Sequence, residues 1–217
     1  MKTESNSTVT PVTPFVPSLP DIADASRASA PGVAAATWAV DASHSSAQFK
    51  VRHLMVSNVR GTLGTVTGTV QLDEGDLMRS QVAVSIDARA IDTRDPKRDE
   101  HLRSADFLDV ARYPNISFRS TAVRAAKGGA LEVTGDLTIR DTTRPIALEV
   151  EALPPAIKDP WGNTRRGAVA RASLNRKDWG LVWNMALDAG GVVVGDRVDI
   201  EIEVELVKSL TTPANVA

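Results

Sequence analysis

Between Asp92 and Phe118 the sequence DTRDPKRDEHLRSADFLDVARYPNISF crowds Arg98, Asp99, His101, Arg103 and Asp106 into one short segment. Imidazole ordinarily titrates near neutrality, so His101, oriented by Asp99 or Asp106, could serve as the general base of a small hydrolase or isomerase. Arg98 and Arg103 carry planar donor forks that suit phosphate, so with His101 they could instead meet a polar or phosphorylated head group. Dense charge on a helix surface is also the composition of a salt-bridged structural network. Phe107, Leu108 and Val110 lie in the middle of that charge.

No other motif completes a catalytic set. There is no G-x-S-x-G elbow and no phosphate loop ending in Gly-Lys-Ser/Thr; the run Gly190 to Gly195 reads as a hairpin or bent loop. His44 and His53 lie an odd number of residues apart, which on a regular strand sends them to opposite faces, so no metal site is expected. His53 is expected to be a satisfied interior or mouth histidine. Trp179 and Trp183 read equally as a ligand wall or as large rings closing a core. The chain has no cysteine, which excludes disulfides and thiolate chemistry, and its formal net charge of -2 comes from interspersed acids and bases, which argues against a nucleic-acid partner. No window is apolar enough for a membrane-spanning helix.

The elements that must hold the charged segment are strands. From Ser45 onward Phe49, Val51 and His53 alternate with Gln48, Lys50 and Arg52, and Val66, Val70 and Leu72 alternate with threonines and Gln71. Gly61, Gly64 and Gly68 fall where a strongly bent strand needs them. Val82, Val84 and Ile86 make a third strand, Ile116 and Phe118 a fourth, and Leu131, Val133, Leu137 and Ile139 a fifth after the Gly128-Gly129 turn. Ile146, Leu148 and Val150 follow, then Ala168, Ala170 and Ala172. The last strand sets Val198, Ile200, Ile202, Val204 and Leu206 against Asp199, Glu201, Glu203 and Glu205. Asp95 caps and Pro96 begins a short helix, Ser104 starts a second turn, and Tyr113-Pro114 ends it.

About eight strands with one apolar face predict an all-β fold, an extended antiparallel barrel with a short helical insertion over one end; a sandwich is the alternative. Aromatic residues make up only 4% of the chain, so small aliphatic interior faces leave a lumen for an elongated apolar ligand. Residues 1–36, rich in Ser, Thr, Pro and Ala, predict a disordered tail, residues 37–207 the barrel domain, and residues 208–217 a flexible end. The prolines Pro11, Pro14, Pro17 and Pro20 interrupt every apolar run near the start, which argues against a signal peptide and for retention in the cytoplasm.

Several motifs occur together in order. They are Asp41-x-x-His44-Ser45, Phe49-x-Val51-x-His53, Arg98-Asp99-x-His101-Leu102-Arg103-Ser104-x-Asp106-Phe107, Tyr113-Pro114, Phe118-x-Ser120, Gly135-x-Leu137-Thr138, Asp159-Pro160-Trp161-Gly162 and Arg176-x-Asp178-Trp179-Gly180. In this the chain resembles the YceI family from Thr37 to Leu206. The resemblance implies a lipocalin-like barrel that binds a long isoprenoid chain, a polyprenyl lipid or an isoprenoid quinone, without catalysis and with no other cofactor. It implies a carrier or storage role, whereas a stress-related scaffold recruiting partners through residues 1–36 is a further reading. Strand parity places Phe49, Val51, Val84, Ile86, Ile116, Phe118, Leu137 and Ile202 in the lumen, with Trp183 beside them and Phe107 and Leu108 closing it. Arg98, His101 and Arg103 would meet the head group. The expected partners are the isoprenoid lipid, a membrane surface met transiently, and a second copy of the chain in a homodimer.

Overall fold

Long alternating strands need a shared interior for their apolar faces, and in the computed structural model they obtain it by closing on themselves. The structure describes residues 35–187 and 190–209. Among them run β1 (Ala36–Val40), β2 (Ser46–His53), β3 (Ser57–Leu72), β4 (Gln81–Asp87), β5 (Asn115–Ala125), β6 (Leu131–Ile139), β7 (Thr142–Val150), β8 (Ile157–Lys158), β9 (Thr164–Asn175) and β10 (Val194–Lys208). The α-helix α1 (Pro96–Arg103) lies between β4 and β5, after the 3-10 turn Ala88–Ala90. Strands β2 to β7, with β9 and β10, form an eight-stranded antiparallel barrel, closed because β10 pairs with β2 on one side and with β9 on the other.

The two remaining strands do not widen the barrel. β1 pairs with β10 through Trp38↔Lys208 and with β3 through Trp38↔Val70, so beyond the 3-10 turn Ala42–His44 it occupies the slot that β2 fills at the other end. β8 forms a hairpin on β9. β1 begins one residue before the expected barrel domain, and β10 reaches one residue past it, to Lys208. The expected disordered tail up to residue 34, and the flexible end from residue 210, lie outside the described residues.

Register carries inward residues into rows around the wall. Ala172 faces Ile200, which faces Phe49, and on the opposite arc Val84 faces Phe118, which faces Leu137. Two glycines make this possible. At Gly135 an added Cβ would come within 2.5 Å of the Phe118 ring, so the ring lies flat along the wall over the glycine. Gly64, with φ +141°, sits where the β2–β3 register shifts and where a Cβ would meet the Asp87 carbonyl oxygen at 2.0 Å.

The two ends are closed differently. At the end where β1 begins, fully buried Trp38 packs with Val70, Leu72 and Leu206, and Arg166 and Lys208 lie over its indole ring. At the other end the wall is covered by the excursion from Ala88 to Pro114, by the β2–β3 hairpin and by the segment after β9. Asp95 caps α1 by accepting from the Lys97 and Arg98 amides, with Pro96 in the first turn. Ser104 starts a second turn as expected, its Oγ accepting from the Asp106 amide at 3.3 Å and its carbonyl from the Phe107 amide at 3.1 Å. It also ends α1, its N–H donating to the His101 carbonyl. The second turn does not grow into a longer helix, because Asp109 takes φ +47°, which breaks helical continuity.

Candidate ligand cavity and its charged cover

A cavity of about 240 Å³ runs along the barrel axis, lined from Val40 and Leu153 near the Trp38 end to Leu102 and Leu181 under the cover. Phe49 and Val51 reach it from β2, Val84 and Ile86 from β4, Ile116 and Phe118 from β5, Leu137 from β6 and Ile202 from β10. Phe107 and Leu108 line it from the excursion. β9 contributes Ala168, Ala170 and Ala172, whose small side chains leave the space that bulkier residues would fill. Among the described residues lining it, only Ser80, Ser117 and Arg176 are polar. No carboxylate, histidine or lysine is among them, so the cavity offers apolar contact and no group suited to acid–base chemistry.

The charged cover spends its donors on the protein itself. Asp99, buried, accepts from the Thr93 amide at 2.8 Å and the Thr93 hydroxyl at 2.5 Å. Arg98 Nε donates to the same hydroxyl at 2.7 Å and Nη2 to the Thr93 carbonyl at 2.9 Å. Arg103 donates to the carbonyls of Arg89 at 2.8 Å and Ile91 at 2.7 Å. These bonds fasten α1 to the chain leaving β4, which is itself bridged to β3 through Thr62 and Asp92. His101 Nε2 lies 2.9 Å from Asp106 Oδ2, so Asp106, and not Asp99, is its carboxylate partner. Its ring is edge-on to Phe107 at 5.0 Å and to Trp183 at 4.7 Å. Trp183 is thus outside the cavity lining, in a clasp between the excursion and the segment after β9. Trp179 is a core residue, its Nε1 donating to the Leu137 carbonyl at 3.1 Å. His53, half-buried, pairs with Ser57 and Val194 at the rim.

Arg176 is the charged residue of the lining, and the sequence reading did not single it out as a site residue. Its Nε donates to the Gly195 carbonyl at 3.0 Å and its Nη1 to the carbonyls of Leu181 and, at 2.9 Å, Trp183. Burial pulls its pKa below the ordinary arginine range, and nearby Asp196 partly offsets that pull. Parity carries the signal that could have found it: Ala168, Ala170, Ala172 and Leu174 face inward, and Arg176 is the next even position.

A second ionic centre lies on the outer wall near the Trp38 end. Arg165 bonds Asp159 at 2.6 Å, Asp41 at 2.8 Å and also Glu205. The Arg165 guanidinium, followed by the Asn163 contacts, holds the Asp159 carboxyl at about 2. The Ser43 hydroxyl, then Arg165 and His44, hold Asp41 well below the usual carboxylate range. Asp41, His44 and Glu205 are close enough to ligate a cation, but Arg165 already supplies the positive charge between the two carboxylates.

Residues 38–206 match the family model described as the YceI-like domain. The protein YceI of Escherichia coli O157:H7 is 37% identical over 179 residues, 82% of this chain and 90% of that one. Among solved structures, BcnA of Burkholderia cenocepacia superposes with a TM-score of 0.64 at 19% identity, over 76% of this chain and 98% of that one. A polyisoprenoid-binding domain from Saccharophagus degradans superposes with a TM-score of 0.59 at 13% identity, over 81% and 99% of the two chains. At these identities the structural matches speak for the shared barrel.

Proposed function

Because the chain belongs to the family of YceI-like domains, we propose that its barrel is a non-catalytic binding module for a long isoprenoid lipid, a polyprenyl lipid or an isoprenoid quinone. The observation that carries this is the cavity itself, a narrow axial space with apolar walls and only three polar lining residues among those described. Burying an isoprenoid chain there removes apolar surface from water on both sides, which is the driving force for such binding. The structural match to a polyisoprenoid-binding domain supports the reading.

The head of the ligand rests toward the covered end, beside Arg176. Its donors are occupied by carbonyls and, at 3.4 Å, by the Asp196 carboxylate, so Arg176 offers an electron-rich head a partly offset positive field rather than a free fork. Arg98, His101 and Arg103 support the head from further out by fixing α1 and its clasp. The protein carries or stores the lipid, and no cofactor beyond that ligand is required. Native mass spectrometry after gentle purification tests this: a retained prenyl lipid is expected. Protein that is consistently ligand-free and takes up neither polyprenols nor quinones would overturn it.

A further inference from the structure

The tip of the β2–β3 hairpin is built from residues that such a turn normally avoids. Leu54 and Met55 take φ +49° and +60°, and the Val56 amide donates to the His53 carbonyl at 3.1 Å, the pattern of a type I′ turn. That turn favours Asn-Gly, because branched or bulky side chains are strained at positive φ. Here the strain presents aliphatic groups to solvent: Met55 is 49% exposed and Val56 76%. The apolar rim continues sideways. The Leu54 amide donates to the Val193 carbonyl at 2.9 Å, and the Val193 amide to the Met185 carbonyl at 3.0 Å, setting exposed Met185 two backbone segments away. Val182, 63% exposed, lies on the same segment after β9.

Charge on the hairpin itself has one sign, while neighbouring β10 brings Asp196 and Asp199 beside it. No Asp or Glu occurs between Asp41 and Asp73, in a chain of net charge -2. Lys50, Arg52 and Arg60 share the outer face of the hairpin, where Lys50 pairs across to Arg60 and Arg52 to Asn58. Lys50 is tied to Asp199 at 3.0 Å, Arg52 is turned to the Met55 carbonyl at 2.7 Å, and Arg60 is exposed with no ion pair among the described residues. At about 3.3 Å per residue, Arg52 sits about 3 Å and Arg60 about 10 Å behind the last hairpin pair. An apolar tip inserted about 5–10 Å would bring those guanidinium groups to lipid phosphates.

We propose that this rim docks the protein on an anionic lipid bilayer, with Leu54, Met55, Val56 and Met185 inserted and Arg52 and Arg60 at the phosphates. A convex aliphatic tip with a basic collar matches a fluid apolar layer beneath anionic head groups. It also lies at the same end as the cover of the cavity, where a membrane-dwelling ligand would pass. The contact itself stands on the rim, and only its use for loading rests on the isoprenoid reading above.

Cosedimentation of the full chain with phosphatidylcholine vesicles, with and without phosphatidylglycerol, tests the contact. Binding is expected to need phosphatidylglycerol and to weaken as salt is raised. The double variant Met55→Asp/Val56→Asp is expected to bind roughly tenfold more weakly or worse, Arg60→Glu to lose the phosphatidylglycerol dependence, and Met55→Leu to bind as the parent does. Thermal melts establish that each variant is folded. Equal vesicle binding by the parent and the folded Asp double variant overturns the proposal. So does a parent that ignores vesicles and elutes as a dimer that the double variant splits, since the rim would then cover a second copy. Lipid content by mass spectrometry is read separately: an empty barrel that still binds vesicles through the rim would remove the isoprenoid reading and leave the docking surface standing.

Discussion

At the scale of single residues, Arg165 ties three parts of the outer wall together. It joins Asp41 before β2, Asp159 in the β8–β9 turn and Glu205 on β10. Its presence keeps the Asp159 carboxyl near 2, below the ordinary aspartate value of about 3.9. A carboxyl depressed by folding contributes stability that is fully present above the unfolded pKa and lost as pH falls through the folded one. Stability should therefore decline between about pH 4 and pH 2. In Arg165→Met that decline should flatten, because Asp159 then titrates closer to its unfolded value, while stability at pH 7 falls. Urea titrations across this range read both effects.

Residues also show where sequence stops being informative. The inner parity of Phe49, Val84, Phe118 and Ile202 is legible because a strand has a period of two and one face is apolar throughout. The destinations of guanidinium donors are not. Arg98 and Arg103 look like phosphate ligands in a motif, yet their donors meet the Thr93 hydroxyl and the carbonyls of Thr93, Arg89 and Ile91, and a carbonyl is a group every residue possesses. His101 likewise could be matched with either neighbouring carboxylate until the turn after Ser104 brought Asp106 round to it.

At the scale of elements, β9 decides how much room the barrel has. Ala170 sits opposite Ile202 and Val150 on the cavity wall. Ala170→Phe should project a ring into the lumen, lowering prenyl-lipid uptake about tenfold or more while changing stability by no more than about 2 kcal/mol, since the ring enters open space. Lipid titration and urea unfolding on one preparation separate the two outcomes. Gly64 tests the wall differently. At φ +141°, with a Cβ 2.0 Å from the Asp87 carbonyl, Gly64→Ala should cost about 2–3 kcal/mol or more in urea unfolding. Gly167→Ala, on β9 with no neighbour within 4 Å of the new carbon, should stay within about 0.5 kcal/mol. Of these elements, β1 was the least visible in the sequence, because Ala36–Val40 is too short to show alternation and its partner strands are remote in the chain.

At the scale of the whole molecule, a barrel with an apolar axial space is stabilised by whatever fills it. A ligand that binds only the folded state raises stability by about 2.7 kcal/mol at a hundredfold excess over its dissociation constant. Protein stripped of lipid should accordingly melt lower than protein as purified, and added polyprenol should restore the melting temperature in a dose-dependent way; identical melts with and without lipid would speak against occupancy of the cavity. Among the described residues no helix is long and apolar enough to cross a membrane.

The pairing of Trp38 with Lys208 places the first and last strands side by side at the pole opposite the β2–β3 tip. A short peptide could link Lys208 to Ala36, and the chain could be reopened at a turn elsewhere, giving a permuted barrel with the same wall. A fusion partner joined directly at Ala36 or at Lys208 would likewise leave from that pole, holding the barrel with its α1-bearing mouth directed outward. Surface immobilisation through either of these strand ends should then leave the mouth accessible, which makes the orientation of the barrel on a sensor a matter of choice.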